Sequence, residues 1–245
     1  MKKKIELTFD KYLAGYDKRK KQIKYKYYHS YEVEKLMNKL AKELKLSEEE
    51  TKLAELIGLL HDIGRFEQIK KYGDCSDVKS GVDHADESCI YLFDEGHIRD
   101  YIEDNKYDAI IKDAIKYHNK IVIDKKVKDK NLFFAKMIRD MDKVDIYRVL
   151  YTEYKTTFNK NEISKKVYDS YYNHKLVDNN DRNTDTDEIF ATLAFIYDIN
   201  FKESLRILKD SNYIEEYLKS IKVNKDSQEE FDKFKKEIYD YIKEQ

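Results

Sequence analysis

Apolar side chains recur every three or four residues along much of this chain, and that spacing predicts α-helices. The first clear stripe consists of Val33, Leu36, Met37, Leu40 and Leu44. The second consists of Leu53, Leu56, Ile57 and Leu60, and the third of Ile111, Ala114 and Ile115. Ser47 and Glu50 match a capping box, so the second stripe is expected to begin a helix directly after Ser47. These patterns predict an all-α fold.

The expected bounds of the other elements follow from the same reasoning. We predict helices over Thr8–Tyr28, from His29 onward, over Asp83–Glu95, over Tyr107–Asn119, over Asn131–Tyr151, near 157–174 and from Ser227 to the C-terminus. Residues 66–82 show no strong period and are expected to form a loop with at most one helical turn. Gly64 is expected to end the second helix in a left-handed turn.

Composition supports the same fold class. The 245 residues include no Pro and only 6 Gly, whereas sheets need many turns and turns usually need those residues. The 22 Tyr and 11 Phe supply enough apolar surface for a core, although 40% of the residues are charged. No stretch of the chain has the low-complexity composition of a linker between domains. We therefore expect a single domain over 1–245, with the motifs in a core of about 25–150 and a helical extension over 151–245.

Several function classes are disfavoured by the sequence. No stretch approaches the ~20 apolar residues of a membrane span, and no apolar region follows the basic N-terminus as in a signal peptide. Cys75 and Cys89 make neither a disulfide framework nor a zinc motif, so a cytoplasmic location is expected. A net charge of -1 predicts no obvious nucleic-acid surface, and the basic stretch 18–26 is interpreted as a solvated helix face.

Imidazole and carboxylate groups form an inward-facing polar set on the predicted helices, with the four histidines at core-facing helix ends. They are His29, His61, Asp62, His84, His118 and Asp142. A lone His-Asp pair at a helix end would equally suit a solvated surface pair, but buried carboxylates need a partner, and these ligand types suit Mn, Fe, Ni, Zn or Mg. Six ligands exceed the need of one catalytic metal and suit two ions ~3.5–4 Å apart. Asp142 is preferred to Asp140 because it continues the apolar stripe of Ile138.

The ordered set resembles a known family. His29, the His61-Asp62 doublet and Asp142 resemble the signature of the HD-domain superfamily of metal-dependent phosphohydrolases. His84 and His118 resemble the branch of that superfamily that binds two metals. The segments that carry the resemblance are HDIGRFEQ (61–68), DHADES (83–88), YHNK (117–120) and RDMDKVD (139–145), and it covers about residues 25–150.

This resemblance implies an all-α core of about five helices and a ligand assignment. His29, His61, Asp62 and Asp142 would bind the first divalent metal, and Asp62 would bridge to a second metal held by His84 and His118. The implied reaction is hydrolysis of a phosphomonoester or phosphodiester, most readily a nucleotide, by a metal-activated bridging hydroxide.

Other side chains are given supporting roles. Arg65 and Lys143 are expected to hold the phosphate, and Asn119 is a further candidate for substrate contact. Asp83 and Asp145 are expected to orient the ligands through hydrogen bonds.

Two other functions share the same residues. One is a di-iron oxygenase of the superfamily that oxidises a C–H bond of a small molecule. The other is a non-catalytic nucleotide-binding module. The absence of Pro excludes the Gly-Tyr-Pro signature of the subfamily that hydrolyses cyclic dinucleotides. The expected partner is a small-molecule phosphate ester or nucleotide, and the Tyr-rich surface leaves room for an oligomer.

Overall fold

Helices build most of the structure, a computed structural model that describes residues 2–244. The all-α prediction is confirmed. The helices are α1 (Lys2–Leu13), α2 (Lys21–Glu43), α3 (Glu48–Leu60), α4 (Gly64–Tyr72), α5 (Asp77–Ser80), α6 (His84–Cys89), α7 (Asp108–Tyr117), α8 (Asp129–Glu153), α9 (Lys165–Tyr172), α10 (Asp185–Leu193), α11 (Lys202–Ser211), α12 (Tyr213–Ser220) and α13 (Gln228–Glu244). A π-helical turn (Ile90–Asp94) extends α6, and short 3-10 turns cover His97–Asp100, Lys160–Glu162, Asn179–Asp181, Ala194–Asp198 and Lys225–Ser227.

The chain divides into two compact units, Met1–Asp142 and Lys143–Gln245. In the first unit, α2 packs closely on α3. Gly58 permits that approach, because a Cβ at this position would lie 3.0 Å from the Val33 carbonyl oxygen and from Met37 Cγ. The capping box of Ser47 is confirmed, with the Ser47 side chain accepting from the Glu50 amide. The C-terminal end of α3 is therefore held in place by its close packing on α2.

The second unit has an aromatic core formed by Phe158, Tyr171, Phe190 and Phe234, all fully buried. Two short parallel strands, β1 (Thr157–Phe158) and β2 (Lys222–Val223), pair within it. The expectation of one helix near 157–174 is wrong, since β1 and a 3-10 turn precede α9. The expectation of a single HD domain over 1–245 stays a prediction.

Three local expectations for the first unit are corrected by the structure. The helix predicted over Thr8–Tyr28 is broken earlier, between α1 and α2, so His29 lies well inside α2. The segment 66–82 is mostly helical, in α4 and α5. Gly64 begins α4 instead of ending α3 in a left-handed turn, and it is needed for a close contact described below.

Candidate metal centre

The first group of ligand atoms comes from α2, the end of α3 and α8. The Nε2 atoms of His29 and His61 lie 3.3 Å apart. Oδ1 of Asp142 lies 3.0 Å from His29 Nε2 and 3.6 Å from His61 Nε2. Oδ2 of Asp62 lies 3.6 Å from each of the same two nitrogens. Four donor atoms from distant parts of the first unit therefore converge on one point.

The second group uses the other oxygen of the same carboxylate. Oδ1 of Asp62 lies 3.2 Å from His84 Nε2 and 3.6 Å from His118 Nε2. These two nitrogens are 3.0 Å apart. His84 is the first residue of α6, and His118 caps the C-terminal end of α7. Asp62 therefore belongs to both groups, with one oxygen directed to each.

The tautomers of three histidines follow from their other ring nitrogen. Nδ1 of His61 faces the Gly58 carbonyl at 2.8 Å, and Nδ1 of His118 faces the Ile115 carbonyl at 2.6 Å. Nδ1 of His84 faces the Asp77 carboxylate at 2.7 Å. Each of these partners only accepts, so each Nδ1 donates, and each neutral ring keeps a lone pair on Nε2.

These lone pairs test whether the site suits a metal. Two lone pairs 3.0 Å apart repel each other unless a cation lies between them. Two nitrogens bound to one zinc-like ion at about 2.1 Å with tetrahedral geometry would lie roughly 3.4 Å apart, close to the observed separations. The donor set, neutral imidazole nitrogen with carboxylate oxygen, is also the set that binds divalent transition metals. The residues fit a metal.

Electrostatics keep the two carboxylates ionised. Burial alone would raise the pKa of Asp62, but the Lys26 ammonium, 2.5 Å from Oδ2, holds that pKa well below its usual range. Burial likewise opposes ionisation of Asp142, and its hydrogen bond with His29, whose Nε2 lies 3.0 Å from Oδ1, holds its pKa well below the usual value. Burial lowers the pKa of His118 to about 4, which favours the neutral ring at neutral pH. The charge states are those of metal ligands.

Backbone contacts fix the positions of His61 and His84. The Ser88 hydroxyl lies 2.8 Å from the His84 carbonyl and 3.2 Å from the His61 carbonyl, and it accepts from the Gly64 amide at 2.9 Å. The Tyr12 hydroxyl donates to the Ile63 carbonyl at 3.1 Å. The end of α3, the start of α4 and α6 are thus joined around one buried hydroxyl.

A second polar network lies beside the first. Arg65 donates from one guanidinium nitrogen to Asp77 at 2.6 Å, to Gln68 at 2.9 Å and to the Cys75 carbonyl. Its Nε lies 3.7 Å from Asp62 Oδ1 and is buried without a hydrogen-bond partner among the described residues. Arg65 therefore links the segment after α4 to the shared carboxylate.

The remaining predicted residues have partners of their own. Asp83 caps α6 by accepting from the Ala85 amide at 2.9 Å, and it also pairs with Lys120. The Asn119 amide donates to Asp83 at 2.9 Å. In the second unit, Lys143 pairs with Asp198 at 2.8 Å, and Asp145 accepts two hydrogen bonds from Arg148 at 2.6 and 2.8 Å. The roles assigned to these residues stay predictions.

Two residues at the site were not found from the sequence. Asp77 lay in a segment expected to be a loop. Lys26 was interpreted as part of a solvated basic face, but its ammonium lies 2.5 Å from Asp62 Oδ2, and its side chain is 15% exposed. A usable signal existed for Lys26, because residues three apart share a face of a helix and Lys26 precedes His29 by three.

Comparison with known proteins gives one result. The family model described as HD domain matches residues 27–147. Searches of the curated proteins and of the solved structures found no match to the chain. Within residues 2–244, no helix combines the length and the apolar character needed to cross a membrane.

Proposed function

Residues 27–147 belong to the HD-domain family, and from that premise we propose that this protein is a metal-dependent phosphohydrolase cleaving a phosphomonoester or phosphodiester. The observation that supports the proposal best is the pair of ligand groups that share Asp62. A shared carboxylate between two groups of imidazole nitrogens is the arrangement expected for two metals acting on one phosphoryl group. A nucleotide is the substrate class that the family resemblance favours.

In this proposal the six residues divide between two divalent ions. His29, His61 and Asp142 would hold one ion, His84 and His118 would hold the other, and Asp62 would offer one carboxylate oxygen to each. When bound, two such ions supply a nucleophilic oxygen at neutral pH and neutralise negative charge on a phosphoryl group. Asp77, Asp83 and His84 also lie close together, but we assign them no third ion, because Arg65, Gln68 and Lys120 already donate to the two carboxylates.

Basic side chains bind the substrate phosphate. Arg65 is the strongest candidate, because its buried Nε has no described hydrogen-bond partner and faces the shared carboxylate. Lys26 is the second, since a metal that takes Asp62 Oδ2 would release the Lys26 ammonium toward an incoming phosphate. Lys143 stays in the proposal as a further cation, and its ammonium would first have to leave Asp198.

The first experiment measures metal content and hydrolysis together. Protein purified without oxygen is analysed by elemental mass spectrometry beside an Asp62→Ala variant and an Asp94→Ala control, which removes an exposed carboxylate paired with Lys112. We expect about two equivalents in the wild type and the control, and a large loss in Asp62→Ala. The loaded proteins are then tested on a panel of phosphomonoesters, phosphodiesters and nucleotides.

The outcomes separate the competing functions. Metal-dependent release of phosphate or nucleoside product, abolished in Asp62→Ala, supports the proposal. A loaded wild type that hydrolyses no member of the panel refutes it. Two irons with oxygen uptake in place of hydrolysis would assign the site to an oxygenase. Tight nucleotide binding without turnover would leave a binding module.

A further inference from the structure

Asp77, in the short helix α5, receives hydrogen bonds on both of its carboxylate oxygens. Oδ1 accepts from Arg65 at 2.6 Å and from the Gln68 amide at 2.9 Å. Oδ2 accepts from His84 Nδ1 at 2.7 Å and lies 3.4 Å from the Asn119 amide nitrogen. The Asp77 side chain is 22% exposed. Four donors surround it, and only an ionised carboxylate can accept from all of them at once.

The hydrogen bond between Asp77 and His84 Nδ1 determines the state of Nε2, the other nitrogen of the ring. Because Asp77 accepts a hydrogen bond from Nδ1–H of His84, the proton of the neutral ring stays on Nδ1 and the lone pair lies on Nε2. That Nε2 lies 3.2 Å from Asp62 Oδ1 and 3.0 Å from His118 Nε2. With the opposite tautomer, Nε2 would carry a proton and would donate it to one of these two acceptors. The nitrogen would then be closed to a metal.

We propose that Asp77 is a positioning residue that selects the metal-binding tautomer of His84 and thereby controls the second metal position. The inference has two parts, and only the effect of Asp77 on metal binding rests on the proposed function. The tautomer of His84 is a property of the protein with or without metal. Partners of this kind typically change metal affinity by 10–100-fold.

The decisive substitution is Asp77→Asn, which keeps the size of the side chain and changes one acceptor into a donor. The NH₂ group of the new Asn side chain must face one of two sides. It faces either Arg65 and Gln68, or His84. Facing the guanidinium would place a donor against a cation, so the amide oxygen stays with Arg65 and the NH₂ group faces His84 Nδ1. His84 must then accept at Nδ1 and carry its proton on Nε2.

Asp77→Ala has a different consequence. It removes the acceptor without adding a donor. The Asn119 amide nitrogen lies 3.4 Å from His84 Nδ1 but donates to Asp83 at the shorter distance of 2.9 Å, so His84 can still adopt either tautomer and a metal can select the productive one. We therefore expect the conservative Asn variant to bind the second metal more weakly than the Ala variant. A merely structural role of Asp77 predicts the reverse order, since Asn preserves more of the original contacts.

Two measurements on the full chain test this inference. Long-range ¹H–¹⁵N correlation of metal-free protein labelled in its histidine rings reports each tautomer, and a His84→Gln variant assigns the His84 signals. We expect the proton on Nδ1 in the wild type and on Nε2 in Asp77→Asn. Titration with Zn²⁺ then gives the number of sites and their affinities, with the second site of Asp77→Ala weakened about 10–100-fold and that of Asp77→Asn weakened further.

Asp74→Asn is the matched control. It makes the same acid-to-amide change in the same segment, where Asp74 accepts from the Ser76 amide at 2.9 Å and pairs with Lys79 at 3.1 Å. We expect wild-type tautomers and two Zn²⁺ sites in this control. Asp77→Asn with the Nδ1 proton retained on His84, or with second-site affinity equal to or above that of Asp77→Ala, would overturn the inference. If the wild type binds no metal, the proposed function fails while the tautomer measurement still decides the role of Asp77.

Discussion

Gly64 is the position where one added methyl group should disturb both stability and the metal centre. In Gly64→Ala the new Cβ would lie 2.6 Å from the Ser88 amide nitrogen, 2.7 Å from the His84 carbonyl oxygen and 2.9 Å from Ser88 Oγ. Two of these neighbours are backbone atoms of α6, which cannot rotate away. Restoring an ordinary separation of about 3.4 Å requires α6 to move by about 0.8 Å (3.4 minus 2.6).

The magnitude follows from that displacement. Overpacking of a tight contact costs about 1–3 kcal/mol, and the hydrogen bond from the Gly64 amide to Ser88 contributes about 1 kcal/mol when lost. The lower entropy of the unfolded Ala chain returns about 0.4–1 kcal/mol. The net loss of unfolding free energy is therefore about 2 kcal/mol. His84 begins α6, and metal ligands tolerate displacements of about 0.2 Å, so we also expect the proposed second metal position to be lost.

The assay is urea unfolding followed by far-ultraviolet circular dichroism, together with Zn²⁺ titration. Gly15→Ala is the control, because its Cβ would meet only the Tyr12 carbonyl oxygen at an ordinary 3.5 Å. We expect the control to remain within about 0.5 kcal/mol of the wild type with full Zn²⁺ binding. A Gly64→Ala protein that matches this control in both measurements would refute the reasoning from steric contact.

Three further predictions use other contacts. Lys26→Met removes the ammonium that a metal on Asp62 Oδ2 would have to displace. That contact contributes about 1.5 kcal/mol, so Zn²⁺ affinity should rise about tenfold while kcat/KM on a phosphate ester falls, and unchanged affinity would contradict this. Cys75 should react with iodoacetamide at about pH 8 well before Cys89. Burial raises the pKa of Cys89 to about 12, so only about one Cys89 side chain in 10⁴ is a thiolate at that pH. Equal labelling of the two residues in peptide mass mapping would contradict this. Ser47→Ala should cost about 1 kcal/mol in urea unfolding through its lost capping box, and an unchanged midpoint would argue against it.

Signals confined to a few neighbouring residues were readable from the sequence. The capping box of Ser47 and the helix start at Asp83 are both confirmed, because each depends on a side chain that reaches an amide two or three positions later. The helical run that begins there ends near Glu95 as predicted, and Gly96 follows it with a left-handed backbone. The burial of His29 was likewise predictable, because it lies four residues before Val33 on one face of α2.

The errors arose where a signal had two meanings. The weak periodicity of residues 66–82 predicts a loop, but Gly73 and Gly81 within it each have a positive φ and end a helix, α4 or α5. The break between α1 and α2 lies around Gly15 and Asp17, where the Asp17 side chain accepts from the Arg19 amide at 3.1 Å. Residues 21–28 contain no breaker, so α2 continues through them to His29.

Contacts distant in sequence were beyond any local pattern. The need for Gly64 depends on the approach of α6, and the role of Asp77 depends on His84 and Arg65 lying on either side of it. An isolated aspartate in a polar segment carries no mark of such a position. Only the folded arrangement of α4, α5 and α6 brings these groups within hydrogen-bond distance.

Helix α8 sets the smallest fragment that could retain the metal centre. Asp142 is the last residue of the first compact unit and Lys143 the first of the second, yet both lie within one continuous helix that ends at Glu153. A fragment trimmed at the boundary would place Asp142 at a frayed terminus, because the last four carbonyls of a helix lose their intrahelical partners. The end of α8, and not the boundary between the two compact units, therefore determines where the chain can be cut without loss of metal binding. A cut beyond Glu153 leaves the turn around Asp142 intact, and a cut after Asp142 does not.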